Sequence, residues 1–392
     1  MNLAKIRKAS ERLDPNRYVT FKSRLHHERV AAVLGIALGV SFTVCFVTGV
    51  ISHVIQYPPS WYSWPSRPAG FYRVTQGVHV ATGLASVPLL LAKLWVIFPK
   101  LFEWPPINGV AHFLERASLP PLIGGGLFML ATGVANINQW YFFPFFFPAA
   151  HYAMSYVTIG ALIVHVGAKG GIARAQVSRS RDEDGTDNAE RTDGSLTRRG
   201  FLYGVFGTSG LVTLFSIGQS FTPLGKVAYL APRRPHVGPQ GLPVNASAKK
   251  AGVIQAANAD DFRLRVEGRV DKPLTFTLDQ LRSLPQHEAT LPISCVEGWS
   301  QSADWRGVRV RDLMAMAGAP DGAQARVESL EAGGLYNRST LNRHHVADAD
   351  TLLALELNGE TLHIDHGYPC RLIGPNRPGV LQTKWVHRMV VV

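Results

Sequence analysis

Cysteine is nearly absent from this chain, with three residues in 392. Cys45 lies in an apolar run, leaving only Cys295 and Cys370 to pair, so no disulfide framework is implied and a metal or reactive role for a cysteine stays open. Acidic residues are also scarce, 28 against 40 Lys and Arg, and charged residues make up only 17% of the chain. A net charge of +12 would suit a nucleic-acid partner, but the cations gather beside apolar segments and form no stripe interleaved with aromatics. No nucleic-acid partner is therefore expected. What the chain does have is long runs almost free of charge. Its mean hydropathy of +0.05 averages a greasy first half and a polar second half, and its length allows two domains.

Runs long enough to cross about 30 Å of hydrocarbon fall near residues 30–53, 73–98, 118–139 and 147–168, with a fifth at 201–221. Gly35, Gly39 and Gly124 to Gly126 would let neighbouring helices approach closely. Lys and Arg set the orientation, because positive loops stay in the cytoplasm. Lys5, Arg7, Lys8, Arg12, Arg17, Lys22, Arg24 and Arg29 precede the first run, and Lys169, Arg174, Arg179, Arg181 and Arg191 follow the fourth. Residues 54–72 hold only Arg67, and the aromatic turn Trp140 to Phe147 holds no cation. The N-terminus is expected inside, and five crossings place everything after residue 222 outside. Ahead of the fifth run, Thr197-Arg198-Arg199-Gly200-Phe201-Leu202 resembles the twin-arginine export motif, which implies the twin-arginine translocase as a partner. Residues 178–196, rich in Ser, Asp and Glu, read as a flexible cytoplasmic linker.

His53, His79, His151 and His165 fall within or at the ends of these runs, where an ionisable side chain is expensive. A lone histidine there serves helix packing equally well. His151 and His165, however, are 14 positions apart, which on one helix is roughly 21 Å along the axis and about 40° around it. Two imidazoles on one face, one near each leaflet, suit two stacked haems, and neutral imidazole suits an axial position on haem iron. His79 matches the depth of His151, with His53 as the competing partner, and His165 would pair with His26 or His27. Together with Arg24-Leu25-His26-His27 before a long helix, this spacing makes residues 20–170 resemble the di-haem cytochrome b subunits of formate dehydrogenases and hydrogenases. The resemblance implies one or two haem b groups and a quinone or quinol partner.

After Pro223 the composition becomes that of a soluble domain, with a Pro- and Gly-rich linker from Ala231 to Pro243. Phe262 to Val270 reads as a strand, Leu274 to Leu284 as a turn and short helix, and Thr290 to Cys295 as a strand entering the loop Cys295-Val296-Glu297-Gly298-Trp299-Ser300. A cysteine ending a strand before a glycine-containing loop can present a thiolate to a metal, although free cysteines more often act as small buried hydrophobes.

Several motifs occur in order: Cys295-Val-Glu-Gly-Trp299-Ser, Trp305-Arg-Gly-Val, Leu355-Glu-Leu-Asn358-Gly359-Glu, His366-Gly367-Tyr368-Pro369-Cys-Arg371 and Lys384-Trp385. Through them residues 240–392 resemble the sulfite oxidase family of molybdopterin enzymes, especially the catalytic subunit of bacterial periplasmic methionine sulfoxide reductases. The resemblance implies an α+β domain holding molybdenum by one pyranopterin dithiolene and the thiolate of Cys295. It also implies a phosphate pocket of Arg371 and Lys384, with His366, the backbone around Gln382 and Thr383, and Asn245 as further pterin contacts. Val296, Glu297, Gly298 and Trp299 stand where sulfite-oxidising members carry an arginine soon after the cysteine, so an anionic substrate is disfavoured. Trp299, Trp305 and Tyr336 suggest an aromatic cleft for a sulfoxide or N-oxide. Cys295 and Tyr336 are the catalytic candidates, and Tyr336, Arg338, His344 and His345 are candidates for supporting or proton-delivery groups.

The expected organisation is a basic tail at 1–29 and a four-helix haem-binding membrane domain at 30–170. A cytoplasmic linker follows at 171–200, then a fifth transmembrane helix at 201–222 and an extracytoplasmic molybdopterin domain at 223–392. The expected activity is a multi-pass cytoplasmic-membrane oxidoreductase, in contact with lipid, that passes electrons from quinol through haem to molybdenum and reduces a small oxygen-atom donor. The alternatives are oxidation of an oxygen-atom acceptor into the quinone pool, or a non-catalytic cytochrome with an extracytoplasmic binding module.

Overall fold

The structure, a computed structural model, describes Ser23 and residues 25–101, 109–178, 196–234, 236–258 and 260–392. Lys5, Arg7, Lys8, Arg12, Arg17, Lys22, Arg24, Arg179, Arg181 and Arg191, and with them most of the basic tail and linker, lie outside the described residues. The described residues divide into two compact bodies, one drawn from within Met1–Val47 and His79–Leu214, the other from within Thr48–Val78 and Phe215–Val392. The segment joining the first two helices thus belongs with the C-terminal body, a division that hydropathy alone did not draw.

Among the described residues, five helices are long and apolar enough to cross a membrane: α1 (Glu28–Gln56), α2 (Phe71–Leu101), α3 (Val110–Asn138), α4 (Phe147–Ser178) and α5 (Arg198–Ile217). Helix α3 begins eight residues before the apolar run that marks it in the sequence, carrying Glu115 and Arg116 in its first turns. Ile36, Val40, Leu91, Phe98, Ile163 and Val164 are exposed on these helices, an apolar surface that a lipid phase would cover. Within the first body, Val30, Leu34, Leu89 and Val96 pack with Phe201, Leu202 and Val205, joining α1, α2 and α5. Helices α3 and α4 meet at Gly125, where a Cβ would stand 2.3 Å from Oγ1 of Thr158, so only glycine fits. Gly124 and Gly39 meet nothing within 4 Å. Thr197 caps α5, its Oγ1 accepting from Gly200 N at 3.0 Å. Arg198 and Arg199 then open the helix at the end where the dipole disfavours cations, so helix stability does not account for their placement.

The C-terminal body is built on two sheets. One has the order β2 (Leu274–Phe276), β1 (Leu264–Gly268), β10 (Val386–Val391), β5 (Ala325–Ser329), β6 (Arg338–Leu341), with β1 and β10 parallel. The other runs β3 (His287–Ser294), β4 (Ser300–Arg309), β7 (Leu352–Leu357), β8 (Glu360–Thr361), with β9 (Arg371–Ile373) also pairing β7. Strand β7 shows why the second sheet is central. Leu353 and Leu355 join the core that the first sheet covers, whereas Leu352 and Ala354 join a second core with Leu291, Ile293 and Cys295, which Leu357 also enters because the β4–β7 register shifts between Arg306 and Gly307. Alternate side chains point to opposite faces, so a strand apolar at successive positions is buried on both. The second core also receives Ala69, from the segment between α1 and α2.

Candidate functional site

Strands β3 and β4 pair antiparallel down to Ser294 and Ser300, and the five residues between them form a tight turn. Cys295 N donates to Trp299 O at 2.8 Å and Gly298 N to Cys295 O at 3.0 Å. Gly298 sits at φ 91°, a conformation that side-chain-bearing residues avoid. The alternation of β3 sends Leu291, Ile293 and Cys295 into the same core, and Cys295 is only 4% exposed. Two N–H groups nevertheless point at its sulfur, the Asn245 amide at 2.8 Å and the Glu297 backbone at 3.5 Å. Asn245 is held in turn by Trp299, whose indole donates to its oxygen at 3.1 Å. Burial, with the nearby Glu297 charge, pushes the Cys295 thiol up, so the thiolate these donors suit requires a cation beside it. Among the described residues no three His, Cys, Asp or Glu side chains group to hold a metal ion. A metal at Cys295 would take most of its ligands from a cofactor.

Cys295, Trp299 and Asn245 line a cavity of about 870 Å³, its open mouth included, whose walls also hold His366, Arg371, Gln382, Thr383, Lys384 and Tyr336. Arg371 is buried, donates through Nη1 to His366 O at 3.1 Å, and has no hydrogen-bond partner at Nε. Its guanidinium carbon lies 5.5 Å from the Trp305 ring centre. Lys384 donates to the Ala246 and Asp365 carbonyls and stands 4.2 Å from the Trp385 ring centre. Neither cation has a carboxylate partner among the described ion pairs. Burial lowers Arg371 to about 10, and burial with the neighbouring Arg371 lowers Lys384 to about 7. The Asp365 and Glu331 charges offset part of the burial cost at Lys384 without pairing with it. Two buried cations with no ion-paired carboxylate among the described residues remain costly unless an anion joins them. A Cβ on Gly367 would press within 3.1 Å of both residues' Cβ atoms, so the loop lets them converge only because a glycine lies there. His366 is lowered to about 4 by burial and is hydrogen-bonded through Nε2 to Pro239 O at 2.7 Å. Gln382 donates to Gly374 O and Arg377 O and leaves its own oxygen without a partner, and Thr383 pairs with Ser339 at 2.7 Å.

Tyr336 lines the cavity with its hydroxyl 3.3 Å from that of Tyr57 and 3.4 Å from Nε2 of Gln56. Burial and the Tyr57 hydrogen bond raise it, so it keeps its proton at neutral pH. Trp305 is not part of the cleft. It is fully buried with its indole bonded to Leu291 O, because β4 turns it into the core. Arg338, His344 and His345 do not line the cavity either, and His345 is buried against Asn342 at 2.9 Å. Gln56, Tyr57 and Gln76, the last bonded to Val296 O at 3.0 Å, escaped the sequence reading because more than 200 residues separate them from the site. Cys370 is a free thiol bonded to Val386 O.

Among the helices, His79 and His151 come together with ring centres 6.0 Å apart. His79 Nδ1 lies 2.8 Å from Cys45 O, which can only accept, so Nδ1 carries the proton. His151 Nδ1 lies 2.9 Å from Thr132 Oγ1, whose own hydrogen goes to Phe128 O. Both rings therefore keep their lone pairs on Nε2, the arrangement of a metal-binding imidazole whose other nitrogen is anchored. Among the described residues, His165 has a buried Nδ1 without a hydrogen bond. His27 Nδ1 accepts from Arg29 N, His26 stacks on Trp95 at 4.8 Å, and His53 lies 5.0 Å from the Tyr57 ring.

Residues 251–392 match the family described as "Oxidoreductase molybdopterin binding domain". The chain is 32% identical to sulfite oxidase of Gallus gallus over 166 residues, 35% of this chain and 36% of that protein. It is 30% identical over 138 residues to a protein of Azospira oryzae provisionally named a protein-methionine-sulfoxide reductase subunit, covering 35% of this chain and 52% of that one. The sulfane dehydrogenase SoxCD structure from Paracoccus pantotrophus aligns at a TM-score of 0.33 and 26% identity, covering 41% of this chain and 46% of that chain. The matches thus span between about a third and a half of these relatives' own length.

Proposed function

We propose that this chain, whose residues 251–392 form a molybdopterin-binding oxidoreductase domain of the sulfite oxidase type, is a membrane-bound oxidoreductase that draws electrons from the quinone pool and reduces a sulfoxide-like or N-oxide-like substrate. One observation carries the reading. A buried cysteine with two N–H donors on its sulfur shares a cavity with two buried cations that form no ion pair with a carboxylate among the described residues. Cys295 would ligate molybdenum, Arg371 and Lys384 would hold the pterin phosphate, and Asn245, His366, Gln382 and Thr383 would complete the cradle. When bound, that cofactor supplies two-electron oxygen-atom exchange.

Reduction of a sulfoxide or N-oxide oxygen to water consumes two protons and two electrons. Tyr336, held protonated and pinned by Tyr57 and Gln56, is a hydroxyl donor at the cavity. Trp299, Leu335 and Val380 supply apolar lining suited to an uncharged substrate. His79 and His151 would hold one haem b, giving the one-electron step that links a quinol to the catalytic body. The name of the Azospira relative supports a sulfoxide. The cation asymmetry supports a cytoplasmic N-terminus, an extracytoplasmic catalytic body and export by the twin-arginine translocase.

Elemental and spectroscopic analysis of the full chain purified from membranes tests this. Molybdenum and haem b are expected together, with a molybdenum(V) resonance that Cys295→Ser abolishes and haem that quinol reduces and a sulfoxide reoxidises. Haem without molybdenum would overturn the enzyme. A haem potential far above that of molybdenum would reverse the direction to substrate oxidation, which the avian sulfite oxidase likeness favours.

A further inference from the structure

The peptide between Val296 and Glu297 has both ends engaged. Its N–H points at the Cys295 sulfur at 3.5 Å, and its carbonyl accepts from Nε2 of Gln76 at 3.0 Å. Gln76 is buried on α2, in the segment that belongs to the catalytic body. The far side of the turn is also held, since Ser220 Oγ donates to Gly298 O and Ser300 N to Gln219 O at 2.8 Å. The turn therefore has little freedom to rotate its peptides.

Resting on the reading of Cys295 as the molybdenum ligand, we infer that Gln76 is a positioning residue that sets how strongly the Cys295 thiolate donates to the metal, acting through the Val296–Glu297 peptide. A hydrogen bond to a carbonyl polarises the peptide and makes its N–H a better donor, and in a low dielectric such bonds strengthen one another. The same bond fixes the peptide plane, so that N–H stays aimed at the sulfur. N–H donation to a ligating sulfur withdraws charge from it and raises the reduction potential of the metal. A glutamine that only satisfied a buried carbonyl would stabilise the fold and leave the metal's electronics alone.

The test uses the full chain, with molybdenum content, the molybdenum(V) resonance and the molybdenum midpoint potential measured in Gln76→Leu and Gln76→Glu. Leucine keeps the volume without a donor, and glutamate keeps the shape but loses the donor only once ionised, so that variant is read above the titration of its buried carboxyl. In whichever variant retains molybdenum, the midpoint potential should fall, the resonance should shift and kcat should drop about 10-fold with KM little changed. A wild-type potential and resonance in a metal-loaded variant would overturn the role of Gln76. Cys295→Ser separates the two failures: if it keeps the wild-type resonance, the ligand assignment itself falls, whatever Gln76 does.

Discussion

The side-chain amide of Asn245 donates to the sulfur of Cys295 at 2.8 Å, across fifty positions of sequence. Its oxygen is committed to the Trp299 indole, so the nitrogen is the end that faces the sulfur. Asn245→Asp would replace this donor with a carboxylate facing a thiolate, and molybdenum retention should fall about 10- to 100-fold. Trp299→Phe frees the amide to turn and should cost less. Wild-type metal content in Asn245→Asp would remove this residue from the site.

Lys384 gives a pH dependence. Burial holds it at about 7, so its charge is fully present only below that pH, and a bound phosphate would restore it by proton uptake. Cofactor retention should therefore weaken as pH rises from about 6 to about 9, whereas Lys384→Arg, which stays charged, should move the decline to higher pH. The linkage to folding has the opposite sense. The folded state binds fewer protons than the unfolded chain between about 7 and the ordinary lysine range, so Lys384's destabilising effect is full below 7 and fades as pH rises. Molybdenum retained after dialysis across this range, in both proteins, checks the first claim; a flat wild-type profile would refute it.

Asn376 and Arg67 both tie the segment between α1 and α2 to the catalytic body, with unequal consequences. Asn376 is buried at φ 50°, accepts from Tyr72 N at 3.0 Å, donates to Pro65 O at 2.9 Å and sends its own N–H to Ala69 O. It thereby satisfies one of the amides that the start of α2 leaves without an intrahelical partner. Asn376→Ala should cost about 3 kcal/mol, because buried groups lose their partners. Arg67, 53% exposed, bridges Asp348 and Asp350, and Arg67→Ala should cost about 1 kcal/mol or less after solvent screening. Thermal inactivation midpoints will rank the two.

On the proposed pairing of His79 with His151, whose ring centres lie 6.0 Å apart, His79→Ala and His151→Ala should each abolish binding of the same haem. His165→Ala should leave that haem in place. Haem-to-protein ratios decide this, and full haem in His79→Ala would sink the pairing.

The motif order around Cys295, Arg371 and Lys384 made the cavity legible before any coordinates, because these residues sit at strand ends whose spacing the chain displays. Asn245 matched only loosely in sequence, yet it touches the sulfur. Trp305 misled because an aromatic near a motif reads as cleft lining, while its place in the β4 alternation sends it inward. Gln56, Tyr57 and Gln76 were unreadable, because their roles arise only when the end of α1, the loop after it and the start of α2 pack against Tyr336 and Val296, hundreds of residues later.

Ala69 shares one hydrophobic core with Leu291, Ile293 and Ile373. Dividing this polypeptide between two genes at the linker would cut through that interior and turn it into a subunit boundary. Greasy surface would then wait exposed on each half until the other arrived. A single continuous chain ensures that every catalytic body is made with its own missing wall.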